Sequence, residues 1–313
     1  MVAAGAPGAL SLVRSGDESW RGASGLAEVA PARPMRPAMR FRAGSVTKTF
    51  VAVVVLQLFA EGRISLDERV AGGARVRDLL AHTSGLADLV GLPGVMERHW
   101  APNELAAAAL AQPRVFGRVG SHFSYSSTNY LLLGRLVEQR TGRTLRDEIR
   151  SRILGPLGLR RTGFEIGRGD VHGYMPPVRD GIVQQRPGRD TWRDDASWAW
   201  ASGDLVSTSS DLATFYRALL EGQLLPRPLL DEMLTPAVER PGRLRYGLGV
   251  AIVRTRCGLA YGHTGNVLGS VSAVWNDRRA RRQVVVLANA FPLGTDADGA
   301  LRKALERSFC AGR

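Results

Sequence analysis

Phe41-Arg42-Ala43-Gly44-Ser45-Val46-Thr47-Lys48 runs without a break into Thr49–Ala60, a stretch with no charged residue, and Gly62 follows just after Glu61. The spacing predicts a helix from Gly44-Ser45 to Glu61, stopped by a left-handed glycine at 62. Val51, Val53, Val54, Val55, Leu56, Leu58 and Phe59 cover nearly every face of it. A helix that is apolar all round belongs in the middle of a domain. The apolar stretch also falls short of the ~20 residues needed to span a bilayer. Ser45 and Lys48, three residues apart, share one face of its first turn. Free N–H groups and the positive dipole end there favour a developing oxyanion. Of 42 lysines and arginines only Lys48 and Lys303 are lysine. That choice is informative, because a desolvated ammonium can lose its proton and a guanidinium cannot. A serine cap followed by a first-turn lysine would give the same letters, but the buried setting favours a catalytic pair.

Working outward, residues 6–30 read as short strands, Ala9-Leu10-Ser11-Leu12-Val13 and a weaker one near Trp20, joined by a turn at Ser15-Gly16-Asp17. Pro31, Pro34 and Pro37 break the next stretch into a loop. From Leu66 to about Gly158 the pattern is helical, clearest at 103–111 and 129–140, and residues 163–195 read as a long loop with short pieces of structure. An amphipathic helix is expected over 209–221, with Ser209-Ser210-Asp211 as cap candidates and Gly222 as its stop. Strand runs follow at Tyr246–Val253, Ser270–Trp275 and Gln283–Ala288, then a helix carrying Leu301, Leu305 and Phe309. Both chain ends thus feed one sheet around a helical insertion, an α+β arrangement. We expect a sheet-bearing part from residues 1–61 and 203–313, a helical part from 62–202, and the active site between them.

The composition of the 313 residues, 44% hydrophobic and 23% charged, excludes disorder and collagen-like repeats. The net charge of +13 comes from arginines scattered along the chain, the mark of a GC-rich genome. Their densest group, Arg278, Arg279, Arg281 and Arg282, follows Asn276-Asp277 between two strand runs and reads as a solvated hairpin tip. A nucleic-acid binder would cluster charge on one face among aromatics, so no nucleic-acid partner is expected. Cys257 and Cys310 are too few and too far apart for a zinc site, and by themselves leave the redox compartment open. No basic n-region or apolar h-region precedes Arg14, so no signal peptide is expected in the sequence as written. There is no G-x-S-x-G elbow, Walker loop, H-E-x-x-H, C-x-x-C or dinucleotide fingerprint. Gly247-Leu248-Gly249 reads as a strand edge.

Two more elements follow the Ser45/Lys48 pair: a polar loop, Phe123-Ser124-Tyr125-Ser126-Ser127-Thr128-Asn129-Tyr130, and Tyr261-Gly262-His263-Thr264-Gly265 entering a strand. With His82-Thr83-Ser84-Gly85-Leu86 and Tyr246-Gly247-Leu248-Gly249, the ordered set resembles the penicillin-recognising serine hydrolases. These comprise D-alanyl-D-alanine carboxypeptidases, class C β-lactamases and related esterases. The likeness is greatest to the secreted actinobacterial carboxypeptidases and covers nearly the whole chain. It implies an antiparallel sheet flanked by helices with an inserted helical subdomain. It further implies Ser45 as the acylated nucleophile, with Lys48 and Tyr125 as base and proton relay. In that scheme the ammonium lowers the tyrosine's pKa, so that a phenolate takes the serine proton. The resemblance places the oxyanion hole at the N–H groups of Ser45 and Asn266. Ser127, Trp198, His263, Thr264 and Gly265 would border the substrate, and His82 would be structural. A Cys257–Cys310 disulfide is implied as well, and with it a secreted or extracytoplasmic location. The expected partner is a small-molecule or peptide acyl substrate, with no cofactor, metal or membrane span, acting on a monomer.

The chain also departs from the pattern. The Y-x-N triplet is Tyr125-Ser126-Ser127, the threonine after the His263 motif is Asn266, and the strand arginine that grips a substrate carboxylate falls at Ala251. The helix that normally precedes Ala6-Pro7-Gly8 is missing as well, as if the start were trimmed. Arg254 and Arg256 sit at odd offsets from residue 251, on the opposite face of a regular strand. The implied function is an acyl-serine hydrolase of the carboxypeptidase or β-lactamase type, with slow turnover of D-Ala-D-Ala peptides. An esterase, transesterase or peptide-cyclising thioesterase, and a non-catalytic penicillin-binding sensor, are the alternatives.

Overall fold

The computed structural model describes residues 1–180, 182–184, 188–238, 244–293 and 295–311. Eight strands, β1 Gly8–Ser15, β2 Glu18–Glu28, β3 Arg33–Pro34, β4 Leu244–Tyr246, β5 Ala251–Thr255, β6 Gly258–Val267, β7 Ser270–Asn276 and β8 Arg282–Ala288, form one sheet in the order β4-β5-β6-β7-β8-β1-β2-β3. Every neighbouring pair is antiparallel. Sequence-distant β1 and β8 pair at its centre, so the two ends of the chain are joined there. The helices are α1 Thr47–Ala60, α2 Val76–Leu80, α3 Pro102–Leu110, α4 Ser127–Thr141, α5 Leu145–Ile149, α6 Trp200–Gly203, α7 Ser209–Leu220, α8 Arg227–Met233 and α9 Thr295–Cys310. Among the described residues no helix is long and apolar enough to cross a membrane.

The sheet is covered on both faces, which is why its central strands are apolar without alternation. Val285 and Leu287 of β8 point into the main core, and Val284 and Val286 into a second cluster with Leu301, Leu305 and Phe309 of α9. On the main-core side α7 lies against β1, β7 and β8, and Phe50 of α1 stacks on Phe215 of α7 with ring centroids 3.6 Å apart. Of α1, every residue from Thr47 to Leu56 is buried, as is Leu58. Each such Val, Leu or Phe contributes about 1.5–3 kcal/mol of burial free energy, and that anchors the helix carrying Lys48.

Several expectations change in detail. The chain enters α1 through a 3₁₀ turn, Gly44–Val46, so Ser45 precedes the α-helix proper. The weak strand near Trp20 is eleven residues long, held by pairing of residues 18–25 with the whole of β1. The 246–253 run is two strands, broken where Gly249 takes a φ of +86°. A β-carbon there would stand 2.3 Å from that of Ala52 in α1, so only glycine lets the turn close on the helix. The cap of α7 is Thr208, whose hydroxyl accepts from the Asp211 N–H, because Thr208 itself is extended. His263 lies in the middle of β6 rather than at a strand entrance. The 163–195 stretch holds two-residue strand pieces at Tyr174–Met175, Val178–Arg179, Ile182–Val183 and Arg189–Asp190. As expected, the arginine-rich segment after Asp277 is the β7–β8 hairpin tip, with Arg278 paired to Asp231 and Arg282 to Asp277.

Candidate active site

Ser45 is half-buried at the mouth of α1, and Lys48 behind it is fully buried. The Lys48 Nζ lies 3.1 Å from Ser45 Oγ, 3.4 Å from Ser127 Oγ and 2.9 Å from the Ser202 carbonyl oxygen. A neutral amine has two N–H bonds and one lone pair. Ser202 O and Ser127 Oγ accept the two N–H groups, which leaves the lone pair facing the Ser45 hydroxyl. Burial pulls the Lys48 pKa down to about 7, with the nearby Asp88 carboxylate opposing. Removing the ammonium from water costs more than the available acceptors return. The amine form is therefore well populated at neutral pH.

Tyr125 completes the cluster. Its ring centroid is 4.9 Å from Lys48 Nζ, and its hydroxyl lies close enough to Ser45 to interact with it. Burial pushes the phenol up, the Ser45 contact opposes this, and Asp88 adds to the rise. This reverses the phenolate scheme. In the resting site the tyrosine keeps its proton and the lysine is the group able to accept one.

The loop that presents Tyr125 is fastened from below by the His82–Asp88 segment. His82 is fully buried under Tyr125, ring centroids 4.2 Å apart, and its Nδ1 accepts the Ser126 N–H at 3.1 Å. Burial, Lys48 and His263 together hold His82 well below its usual pKa. The Asn129 amide nitrogen also lies 3.1 Å from that ring nitrogen, and Asn129 Oδ1 accepts from Ser84 Oγ. Asn129 is thus consumed inside the protein and cannot replace the amide missing at Ser127. Ser126 Oγ and Thr128 Oγ1 both donate to the Ala87 carbonyl, and the Ser127 N–H donates to Asp88 Oδ1 at 2.9 Å.

Strand β6 forms the opposite wall. A two-residue turn, Leu268-Gly269, with φ values of 41° and 70°, joins β6 to β7 and makes Val267 and Ser270 a hydrogen-bonded pair. Alternation then aims the N–H of Asn266 away from β7. Asn266 N is 2.8 Å from where a β-carbon on Gly44 would lie, so the Gly44–Ser45 turn abuts it directly. The Asn266 N–H thus stands beside the turn that carries Ser45. Thr264 and Asn266 are exposed, and Gly265 is packed against the Ala43 carbonyl.

Two expected substrate-facing residues are placed differently. His263 is 3% exposed, with its Nε2 2.8 Å from the Tyr246 hydroxyl and its Nδ1 donating to the Thr264 carbonyl. Burial, and then Lys48, lower its pKa to about 3, so it is neutral and internally satisfied. Trp198 is 5% exposed and belongs to the core. At Ala251 the β5–β6 register is unbroken to Thr255, so Arg254 shares a face with Ile252 and not with Ala251. The residues that the sequence left unnoticed are Ser202, whose carbonyl holds Lys48, and Asp88. Ser202 sits in the short helix α6 and Asp88 in a loop, and neither belongs to a motif of its own. Among the described residues no cluster of three His, Cys, Asp or Glu side chains could hold a metal ion.

A serine hydroxyl flanked by a desolvated lysine and a tyrosine, on this scaffold of sheet and helices, defines a serine hydrolase. The chain belongs to the beta-lactamase family, whose model matches residues 1–308. It is similar to a D-stereospecific amidohydrolase from Streptomyces sp., with 34% identity and a TM-score of 0.86 over 100% of this chain and 96% of that one. A D-amino acid amidase from Ochrobactrum anthropi SV3, solved with L-phenylalanine amide, gives 28% identity and a TM-score of 0.85 over 98% and 93% of the two chains. A D-aminopeptidase of Brucella ovis is 27% identical over 95% of this chain, which spans only 58% of that relative's length.

Proposed function

We propose that this serine hydrolase cleaves amide bonds on the carbonyl side of D-configured amino acid residues, through an acyl-enzyme on Ser45. The observation that carries the reading is the Lys48 Nζ at 3.1 Å from Ser45 Oγ, with its pKa brought to about 7. As Ser45 Oγ attacks the carbonyl carbon, the Lys48 amine takes its proton, and the oxyanion is received by the N–H groups of Ser45 and Asn266. Tyr125 then gives its phenolic proton to the departing nitrogen and recovers one from the Lys48 ammonium beside it. Water repeats the steps in reverse and frees Ser45. The D-preference and the amide class rest on the similarity to the Streptomyces and Ochrobactrum enzymes.

A carboxypeptidase must hold the free carboxylate of its substrate. Ala251 and Asn266 stand where the resemblance expects an arginine and a threonine, so a small amide fits the site better. The Cys257–Cys310 disulfide supports an extracytoplasmic location, since such bonds persist in oxidising compartments. The test is incubation with D- and L-phenylalanine amide and with a fluorescent penicillin, followed by mass spectrometry. An adduct on Ser45 with faster release of ammonia from the D-amide is expected. An adduct on another serine, or undiminished hydrolysis by Ser45→Ala, refutes the reading.

A further inference from the structure

Ser272 is fully buried in β7 and takes no part in the steps above. It has two attachments. Val267 and Ser270 are a hydrogen-bonded pair, so by alternation the next such pair is Gly265 with Ser272, and the Ser272 N–H donates to the Gly265 carbonyl. Its hydroxyl leaves the sheet and donates to the Ala43 carbonyl at 2.8 Å, 229 positions away in the chain. These two bonds reach both segments of the proposed oxyanion site. The Gly265 carbonyl belongs to the peptide that carries the Asn266 N–H, and a trans peptide points its N–H opposite its carbonyl. The Ala43 carbonyl opens the left-handed turn at Gly44, one residue before Ser45.

Gly265 is what lets the two segments meet. A β-carbon on it would stand 2.0 Å from the Ala43 oxygen and 2.6 Å from Ser272 Oγ. Gly265 and Ser272 are register partners and face the same side of the sheet, so the space left by one is bridged by the hydroxyl of the other. The turn is also held from its far side. The Ala43 N–H donates to the Leu205 carbonyl at 2.8 Å, while Thr47 Oγ1 donates to the Gly44 carbonyl at 2.7 Å and accepts the Leu205 N–H at 3.1 Å. We infer that Ser272 is a positioning residue of the oxyanion site, tying β6 to the nucleophile turn and so fixing the separation of the Ser45 and Asn266 N–H groups. This rests on the acyl-enzyme reading above, in which those groups receive the developing charge. Donors aimed at one oxygen tolerate little displacement, since a misplacement of about 1 Å can cost ~10²-fold in rate. Lys48 takes its hydrogen bonds from other residues, Ser45, Ser127 and Ser202, so loss of the Ser272 hydroxyl should leave the base unchanged.

The test is Ser272→Ala, which removes the hydroxyl and keeps the ladder bond. Acylation of Ser45 by D-phenylalanine amide and by p-nitrophenyl acetate should slow by ~10–100-fold, with KM for the amide changed by less than ~3-fold. Affinity for phenylboronic acid, whose tetrahedral adduct on Ser45 presents an oxygen to the same two N–H groups, should fall by a similar factor. The pH midpoint of acylation should stay where it is. Ser272→Cys keeps a weak donor and should recover part of the loss; if the alanine variant does not fold, the cysteine variant decides by the same measurements. Wild-type acylation and boronate affinity in the folded variant overturn the inference and leave the acyl-enzyme reading standing, even if Tm falls. So does a loss that comes with a displaced pH midpoint, which would assign the hydroxyl to the Lys48 surroundings instead. If the wild type forms no adduct on Ser45 with either substrate, the acyl-enzyme reading itself fails, and the inference with it.

Discussion

At the scale of single residues, the proposed reaction depends on one ammonium that is hard to keep charged. Lys48 is fully buried, faces two hydroxyls and a carbonyl, and has no carboxylate in direct contact among the described residues. Burial favours its neutral form, so its pKa falls to about 7. In the proposed mechanism the reacting species is the free amine. Acylation should therefore rise with pH, reach half its maximum near pH 7, lose about tenfold for each further unit of acidification, and level off above pH 8. Pre-steady-state acylation of Ser45 measured from pH 5 to 9 checks this. A rate that instead continues to climb toward pH 10 would restore a tyrosine base. Lys48→Arg should lose on the order of 10²–10⁴-fold in the acylation rate, since a guanidinium stays protonated throughout this range. The same substitution should bind substrate nearly as before, so the loss belongs in kcat. Ser45 and Lys48 were legible in the sequence, because their spacing on a helix fixes their common face before any folding. Asp88 and Ser202 were not. They meet the lysine only after segments far apart in the chain have packed together.

At the scale of elements, the proposed oxyanion site depends on how closely the Gly44–Val46 turn approaches β6. Gly44 has a φ of +56°, and a β-carbon on it would lie 2.8 Å from Asn266 N and 3.0 Å from the Gly265 carbonyl carbon. Alanine there meets both a left-handed backbone penalty of about 1–2 kcal/mol and a contact with backbone that cannot rotate away. Gly44→Ala should therefore push β6 from Ser45 and reduce kcat by on the order of 10²–10³-fold, the usual cost of spoiling one oxyanion donor. Gly158→Ala is the control: its φ is +63°, but its β-carbon would meet nothing within 4 Å. It should lose stability by a similar backbone term and keep its turnover. Urea melts and amide turnover on both variants separate the two effects. The glycine was visible in the sequence only as part of a motif. The reason for it, contact with a strand more than two hundred positions later, was not.

At the scale of the whole molecule, the chain is closed twice at its far end. β8 pairs with β1 at the centre of the sheet, and Cys257, just before β6, is bonded to Cys310 at the end of α9 across a separation of 53 residues. For a loop of that size the chain-entropy account gives about 4 kcal/mol. The double variant Cys257→Ser/Cys310→Ser should lose up to about that much in denaturant unfolding. It should keep its turnover under native conditions, because the bond pins α9 to the face of the sheet away from α1. If reduction leaves the unfolding midpoint unmoved, α9 is held by packing of Leu301, Leu305 and Phe309 alone.

What the sequence determined by itself was local and periodic. The all-apolar stretch of α1, the Ser45/Lys48 spacing, the glycine stops and the strand–helix–strand order follow from side-chain period and backbone preference, which act within a few residues. The tertiary structure decided everything that needed two distant segments at once. It split the 246–253 run, because α1 crosses it at Gly249. It buried His263 and Trp198, which an exposed cleft would have left free to meet substrate. It moved the resting proton from lysine to tyrosine, since a pKa is set by water exclusion and neighbouring charge rather than by residue type. And it set Asp88 against the Ser127 N–H, within electrostatic reach of Lys48, a neighbourhood that no local pattern in the sequence announces.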